Sequence, residues 1–206
     1  MIGIIDYGVG NLAAFKKAYE ILDIPSFILN ANSDIKRASH FIIPGVGSFD
    51  NAITRFREVE FFNELFNVVI DQEIPVLGVC IGMHIMFDNS AEGKLTGLGW
   101  IPGQVEKFIA ADRNNLSSNF RVPHIGWNTI NSKKKSNLID GLESEEFYFL
   151  HSYYCSPTKE ADVIATTSYY QDFSSVVQFR NFYGTQFHPE KSHTPGLKIL
   201  ENFSKI

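Results

Sequence analysis

The chain has 206 residues, 44% of them hydrophobic and 14% aromatic, which supports one well-buried α/β core and excludes a disordered chain. A net charge of -5 and a pI near 5.7 argue against a broad nucleic-acid-binding surface. No stretch reaches the ~18 continuous apolar residues of a membrane span, Met1 runs straight into a strand pattern without a signal-peptide n-region, and Cys80 and Cys155 form no disulfide framework. A cytoplasmic protein with a single domain over residues 1–206 is therefore expected.

The first half alternates strands and helices. Ile2 to Ile5 reads as a short buried strand, followed by the glycine turn Asp6-Tyr7-Gly8-Val9-Gly10-Asn11 and a helical pattern through Leu12, Phe15, Ala18, Tyr19 and Leu22. Gly8-x-Gly10-x-x-Ala13 matches a loosened dinucleotide fingerprint, but the second strand, Ser26 to Leu29, ends in Asn30-Ala31-Asn32 and offers no carboxylate for a ribose. His40 to Ile43 is a third strand, ending at Pro44-Gly45-Val46-Gly47. These glycines leave backbone amides able to cradle an anion, or simply make a strand-to-helix turn. A long helical pattern through Ile53, Phe56, Val59, Phe62, Leu65, Phe66 and Val69 returns the chain to a fourth strand, Val76 to Val79. This order implies a parallel sheet with right-handed crossovers.

Gly78-Val79-Cys80-Ile81-Gly82 follows at once, with a helical pattern through Met83, Ile85, Met86 and Phe87. Strand, glycine-flanked nucleophile and helix are the grammar of a nucleophile elbow with cysteine in place of serine. A buried structural cysteine at a strand end remains open at this point. Beyond Asn89 the pattern turns β-rich and antiparallel, with runs at 105–109, 121–130, 147–154, 163–167, 175–180 and 183–187. The last helix is expected from Pro195 through Leu197 to Phe203.

A catalytic thiol needs a base, and the base needs a group to orient it. His188-Pro189-Glu190, if extended, places imidazole and carboxylate on one side of the chain. Glu190 can then hold the tautomer while His188 moves the proton. A zinc deaminase reading fails for want of Pro-Cys-x-x-Cys, and a metal site from His188, Glu190 and His193 has no helical or ribbon spacing behind it.

Together, Pro44-Gly45-Val46-Gly47, Gly78-Val-Cys80-Ile-Gly82-Met83, Tyr148-Phe-Leu-His151-Ser152-Tyr153 and Gln186-Phe-His188-Pro-Glu190-Lys-Ser192 resemble the triad (class I) glutamine amidotransferases. Pro123-His124-Ile125-Gly126-Trp127-Asn128 and Asp6-Tyr7-Gly8-x-Gly10-Asn11 narrow the resemblance to the glutaminase subunits of imidazole glycerol phosphate synthases. It implies a three-layer, flavodoxin-like α/β fold with a mostly parallel central sheet and an antiparallel, β-rich second half. It implies that Cys80, His188 and Glu190 hydrolyse L-glutamine, with an oxyanion hole at Val46, Gly47 and Ile81. Gly47, His84, Tyr148, His151, Ser152 and Tyr153 would hold the substrate, with no metal or organic cofactor.

Ammonia would pass to a (β/α)8-barrel synthase that yields imidazole glycerol phosphate and AICAR for histidine biosynthesis. That partner would form a heterodimer with this chain, facing Asn11, Trp127 and Lys191. The same signature serves paralogous glutaminases that feed amidination of a bacterial surface sugar. A catalytically inactive binding module is the remaining alternative if Cys80 and His188 are not adjacent. His84 stands where the family usually carries glutamine; one helical turn after Cys80, it is expected to bring a group titrating near neutral pH into the pocket. The polar stretch from Ala110 to Asn119 reads as an insertion-like loop.

Overall fold

Continuous apolar strands are stable only where both faces are covered. In the structure, a computed structural model that describes residues 1–108, 121–142 and 145–206, Ile2–Ile5 and Val76–Val79 are buried along their whole length. The first half runs β1 (Ile2–Ile5), α1 (Leu12–Ile21), β2 (Ser26–Leu29), α2 (Asn32–Ile35), β3 (His40–Ile43), α3 (Phe49–Glu58), α4 (Phe62–Asp71) and β4 (Val76–Val79). Next come α5 (Ile81–His84), β5 (Asn89–Ser90), β6 (Gly103–Lys107), β7 (His124–Thr129), β8 (Asn131–Ser132), β9 (Glu146–His151) and β10 (Tyr153–Pro157). The chain ends with β11 (Val163–Tyr169), β12 (Gln171–Phe179), β13 (Phe182–Thr185) and α6 (His193–Phe203).

The main sheet has the order β2-β1-β3-β4-β13-β12-β10-β6-β5, with β11 and β8 added beside β12. From β2 to β13 every pairing is parallel; beyond β13 the pairings are antiparallel except β5 with β6. Right-handed crossovers from β1 outward to β2, and the opposite way from β3 to β4, carry α1 and the α3–α4 pair on opposite faces. α6 packs against α1, and α2 against α4. This is the expected class I glutamine amidotransferase-like α/β architecture. β7 and β9 stand apart as a two-stranded antiparallel ribbon in which His124 is opposite His151.

Several sequence expectations shift. The single helix expected from Ile53 to Val69 is broken at Val59, whose ψ of 138° is extended. Leu65 lies nine positions past Phe56, roughly half a turn out of phase at about 100° per residue; both are buried, so a break that rotates the second helix is required. The helix expected through Phe87 is the single turn α5, and α2 was not anticipated. The strand expected at 147–154 divides at Ser152, which moves the chain from the ribbon into the main sheet. α6 starts at His193, ahead of Pro195, which its first turn tolerates because amides there have no helical acceptor. The loop expected at 110–119 lies outside the described residues, as does residue 109. Among the described residues no helix is long and apolar enough to cross a membrane.

The elbow is packed against its neighbour strand at backbone distance. A Cβ on Gly82 would stand 1.9 Å from the Ile43 carbonyl oxygen, so α5 can lie on β3 only with glycine there. Gly82→Ala is expected to destabilise the protein by about 3 kcal/mol, the upper part of the usual overpacking range. Urea unfolding checks this; wild-type stability in the variant would refute the close approach.

Candidate active site

Cys80 sits between β4 and α5 with φ 53° and ψ -112°, a left-handed conformation that costs a non-glycine residue about 1–3 kcal/mol. The turn is held from both sides. Cys80 N donates to Thr185 O at 2.8 Å, and Cys80 O accepts from Met83 N and His84 N at 2.9 and 3.0 Å. The thiol side chain is 4% exposed and lines a pocket of about 240 Å³.

β13 lies parallel to β4, so the chain leaving β13 passes the elbow and delivers His188. His188 N donates to Tyr148 O, and Ser192 Oγ to His188 O, which fixes the backbone beneath the ring. The ring lines the same pocket as Cys80, whose sulfur acts on its pKa, and its Nδ1 is 2.9 Å from Glu190 Oε1. His188-Pro189-Glu190 is not extended as expected: Pro189–Lys191 forms a 3-10 turn that folds Glu190 back under the imidazole. Burial by itself lowers the His188 pKa. The hydrogen bonds to Cys80 and Glu190 and their negative charges outweigh it and push the pKa up to about 10. The arrangement therefore favours an imidazolium beside the Cys80 sulfur at neutral pH. A one-turn helix supplies little dipole, so the sulfur depends on these side chains rather than on α5.

The pocket wall collects most of the expected residues. Val46, Gly47, Ile81, His84, His151, Ser152 and Tyr153 line it together with Cys80. Gly47 has φ 94°, and the strand before it is anchored by the Tyr7 hydroxyl, which donates to Pro44 O at 2.5 Å. Tyr148 is not among the lining residues. Its ring meets Trp127 at 6.0 Å and the Lys191 ammonium at 5.9 Å, on the outside of the ribbon. Trp127, 45% exposed, also stacks on His193 at 5.1 Å, which takes His193 away from the His188–Glu190 pair. Asn11 is exposed at the start of α1, where its Oδ1 accepts from Ala14 N. Among the described residues, no group of three or more His, Cys, Asp or Glu is arranged to hold a metal ion.

Two residues of the site, one lining the pocket and one buried behind it, were not found from sequence. Glu92 reaches the pocket from the turn after β5, held by Phe49 N donating to its Oε2 at 3.0 Å; burial and the neighbouring Asp50 raise its pKa against the lowering effect of that bond. No spacing or motif marks it. Gln186 is fully buried and contacts both His84 and Cys80, with Oε1 2.9 Å from His84 Nε2 and Nε2 3.8 Å from Cys80 Sγ. Its place two residues before His188, just past the end of β13, was the available signal.

The histidines around the pocket are held neutral. His151 Nδ1 donates to Tyr153 O at 2.9 Å, so its Nε2 accepts from His124 Nδ1, also at 2.9 Å. Burial lowers His151 well below the ordinary histidine value and lowers His124 to about 4. Burial likewise lowers His84 to about 4, against a small raising effect from its bond to Gln186. The expected near-neutral titration of His84 is thus displaced out of the neutral range by desolvation. A histidine whose folded pKa is depressed contributes stability that is complete above pH 6.5 and lost as the pH falls toward 4. For His84 the loss between pH 7 and pH 5 is about 2 kcal/mol. His84→Gln is expected to flatten the pH dependence of urea-unfolding stability by about that amount; an unaltered slope would show that His84 is already solvated.

Residues 4–206 match the family model for glutamine amidotransferase class-I. The chain is 45% identical to the imidazole glycerol phosphate synthase subunit HisH of Leptospira borgpetersenii, covering 100% of both chains. It is 42% identical to the HisH 2 subunit of Methanococcus maripaludis, over 100% of this chain and 99% of that one. Its fold is shared with a crystal structure of a glutamine amidotransferase at TM-score 0.73 and 19% identity, covering 98% of each chain. It is also shared with the structure of PurLQS from Thermotoga maritima, at TM-score 0.73 and 14% identity over 99% of this chain and 97% of that one. The chain belongs to the class-I glutamine amidotransferases, in the branch of the HisH glutaminase subunits.

Proposed function

We propose that this chain hydrolyses L-glutamine through Cys80, His188 and Glu190 and hands the ammonia to a (β/α)8-barrel synthase partner in histidine biosynthesis. The observation that carries the reading is that Cys80 and His188 line one pocket while His188 Nδ1 is 2.9 Å from the buried Glu190 Oε1. The thiolate attacks the side-chain amide carbon. The oxyanion that forms is held by N–H groups of Ile81 and of the Val46–Gly47 segment. As the tetrahedral intermediate collapses, the C–N bond breaks and His188 gives its proton to the departing nitrogen, which leaves as ammonia. The neutral imidazole then takes a proton from water, whose oxygen displaces the sulfur from the thioester to give glutamate. Glu190 keeps the His188 Nδ1 proton in place throughout.

Glu92 is the anionic group on the far wall and is the counter-ion for the substrate's α-ammonium. Ammonia released into water at pH 7 is mostly ammonium and no longer nucleophilic, so delivery across a sealed interface is the useful arrangement. The outer face of the ribbon supplies such a surface, with Ile125 and Trp127 exposed beside Lys191. A groove of about 520 Å³ between α1 and the 189–194 segment continues it toward the Asn11 end.

Cys80→Ala is expected to abolish glutamine hydrolysis while the complex with the barrel partner still turns over on ammonium salts. Glutamate release by the variant at the wild-type rate would refute the covalent role. Glu92→Gln keeps an oxygen for Phe49 N but removes the charge. It is expected to raise KM for glutamine about tenfold with kcat nearly unchanged; steady-state kinetics of the complex check this, and an unchanged KM would remove Glu92 from the substrate site.

A further inference from the structure

Gln186 has no part in the chemistry above, yet its carboxamide is one of the few groups touching the reacting sulfur. Register explains the placement. Thr185 pairs with Val79, so the next residue on each strand, Gln186 and Cys80, emerge side by side, and two residues further on comes His188.

A thiolate needs hydrogen-bond donors, and the neighbours of Sγ differ in what they offer. Leu150 O, 3.9 Å away, serves only the protonated thiol, as an acceptor. His188 donates to the thiolate, and so does Gln186 Nε2 at 3.8 Å. A carboxamide has two ends, however, and turned over it would put a carbonyl oxygen against the negative sulfur. His84 decides which end is presented. Burial keeps His84 neutral, so it carries one ring proton; Nδ1 has no partner among the described residues, whereas Nε2 is 2.9 Å from Gln186 Oε1. A proton on Nε2 completes that bond and turns the carboxamide N–H toward the sulfur.

We propose that Gln186 stabilises the Cys80 thiolate through its carboxamide N–H, and that His84, as the Nε2–H tautomer, is the positioning residue that fixes this orientation. The inference rests on the glutaminase reading of Cys80 and adds a second donor to the thiolate. The other titratable groups facing the sulfur are His188 with Glu190 behind it, His151, Tyr7 and Cys155, with Glu92 across the pocket.

The test is the pH dependence of Cys80 alkylation by iodoacetamide in the full-length chain. It is read by mass spectrometry at the Cys80 peptide so that Cys155 does not contribute. Gln186→Met, close in shape but without a donor, is expected to shift the thiolate titration upward by about one unit. Alkylation then slows about tenfold on the acid limb and is unchanged on the alkaline plateau. His84→Leu is expected to shift it in the same direction by less, and His84→Gln, whose amide can still donate to Gln186 Oε1, to restore the wild-type profile. Imidazole 15N shifts of the wild-type protein are expected to show His84 protonated at Nε2. A Gln186→Met profile identical to wild type, with or without lost thermal stability, assigns Gln186 to packing and overturns the proposal, as does an Nδ1–H tautomer of His84. Should Gln186→Met yield no soluble protein, an unshifted His84→Leu profile overturns it alone. A wild-type Cys80 that resists alkylation below pH 8.5 would instead refute the glutaminase reading itself, and so the two failures are distinguishable.

Discussion

The left-handed turn at Cys80 is the constraint on which the rest of the site depends. A nucleophile at φ 53° projects off the end of a strand instead of lying in the sheet, but the conformation persists only if neighbouring backbone holds it. β13 holds one side through Thr185 O, and α5 the other through the amides of Met83 and His84. Both supports have a second role. The chain leaving β13 carries Gln186 and His188, α5 carries Ile81 and His84, and β3, against which Gly82 lies, runs on into Pro44 and Gly47. The atoms that keep the turn in place are therefore joined by short stretches of chain to the groups that use it.

Four buried histidines sit within this small region, and their environments divide them. His84, His124 and His151 have no carboxylate partner among the described residues, and burial keeps them neutral as hydrogen-bonding groups of fixed tautomer. His188 is as deeply buried but lies between a thiol and a carboxylate, and these two partners reverse the sign of the shift. One side-chain type thus serves as rigid scaffolding at three positions and as the proton carrier at the fourth. The thiol and the carboxylate together decide between them, since desolvation acts in the same direction on all four.

Much of the parallel half was legible in the sequence, because a buried parallel strand is an unbroken apolar run and Ile2–Ile5, His40–Ile43 and Val76–Val79 are such runs. The elbow was legible for a different reason: the glycines at 78 and 82 have no other explanation as economical as close backbone approach. Periodicity failed where two helices share a spacing but differ in phase, as at Phe56 and Leu65. It failed also at Ser152, where one apolar run serves two sheets. Within the site, residues adjacent in sequence to Cys80 or His188 could be found and Glu92 could not. It arrives from a turn whose position is set by the partners of β5 and by the amide of Phe49, neither of which leaves a local pattern. The fate of Tyr148 was hidden similarly, since strand alternation fixes that it differs from Phe149 in direction but not which face the pocket occupies.

The backbone at Cys80 also bears on how this position can drift over evolutionary time. At φ 53° and ψ -112° glycine is the relaxed residue, and any side chain there works against the stability of the chain that carries it. Selection for folding alone would erode the thiol toward glycine and leave a sturdier, inert protein of unchanged shape. A lineage that keeps cysteine at this turn does so under continuous selection for the reaction, whereas for a core residue such as Phe56 folding and heredity pull the same way.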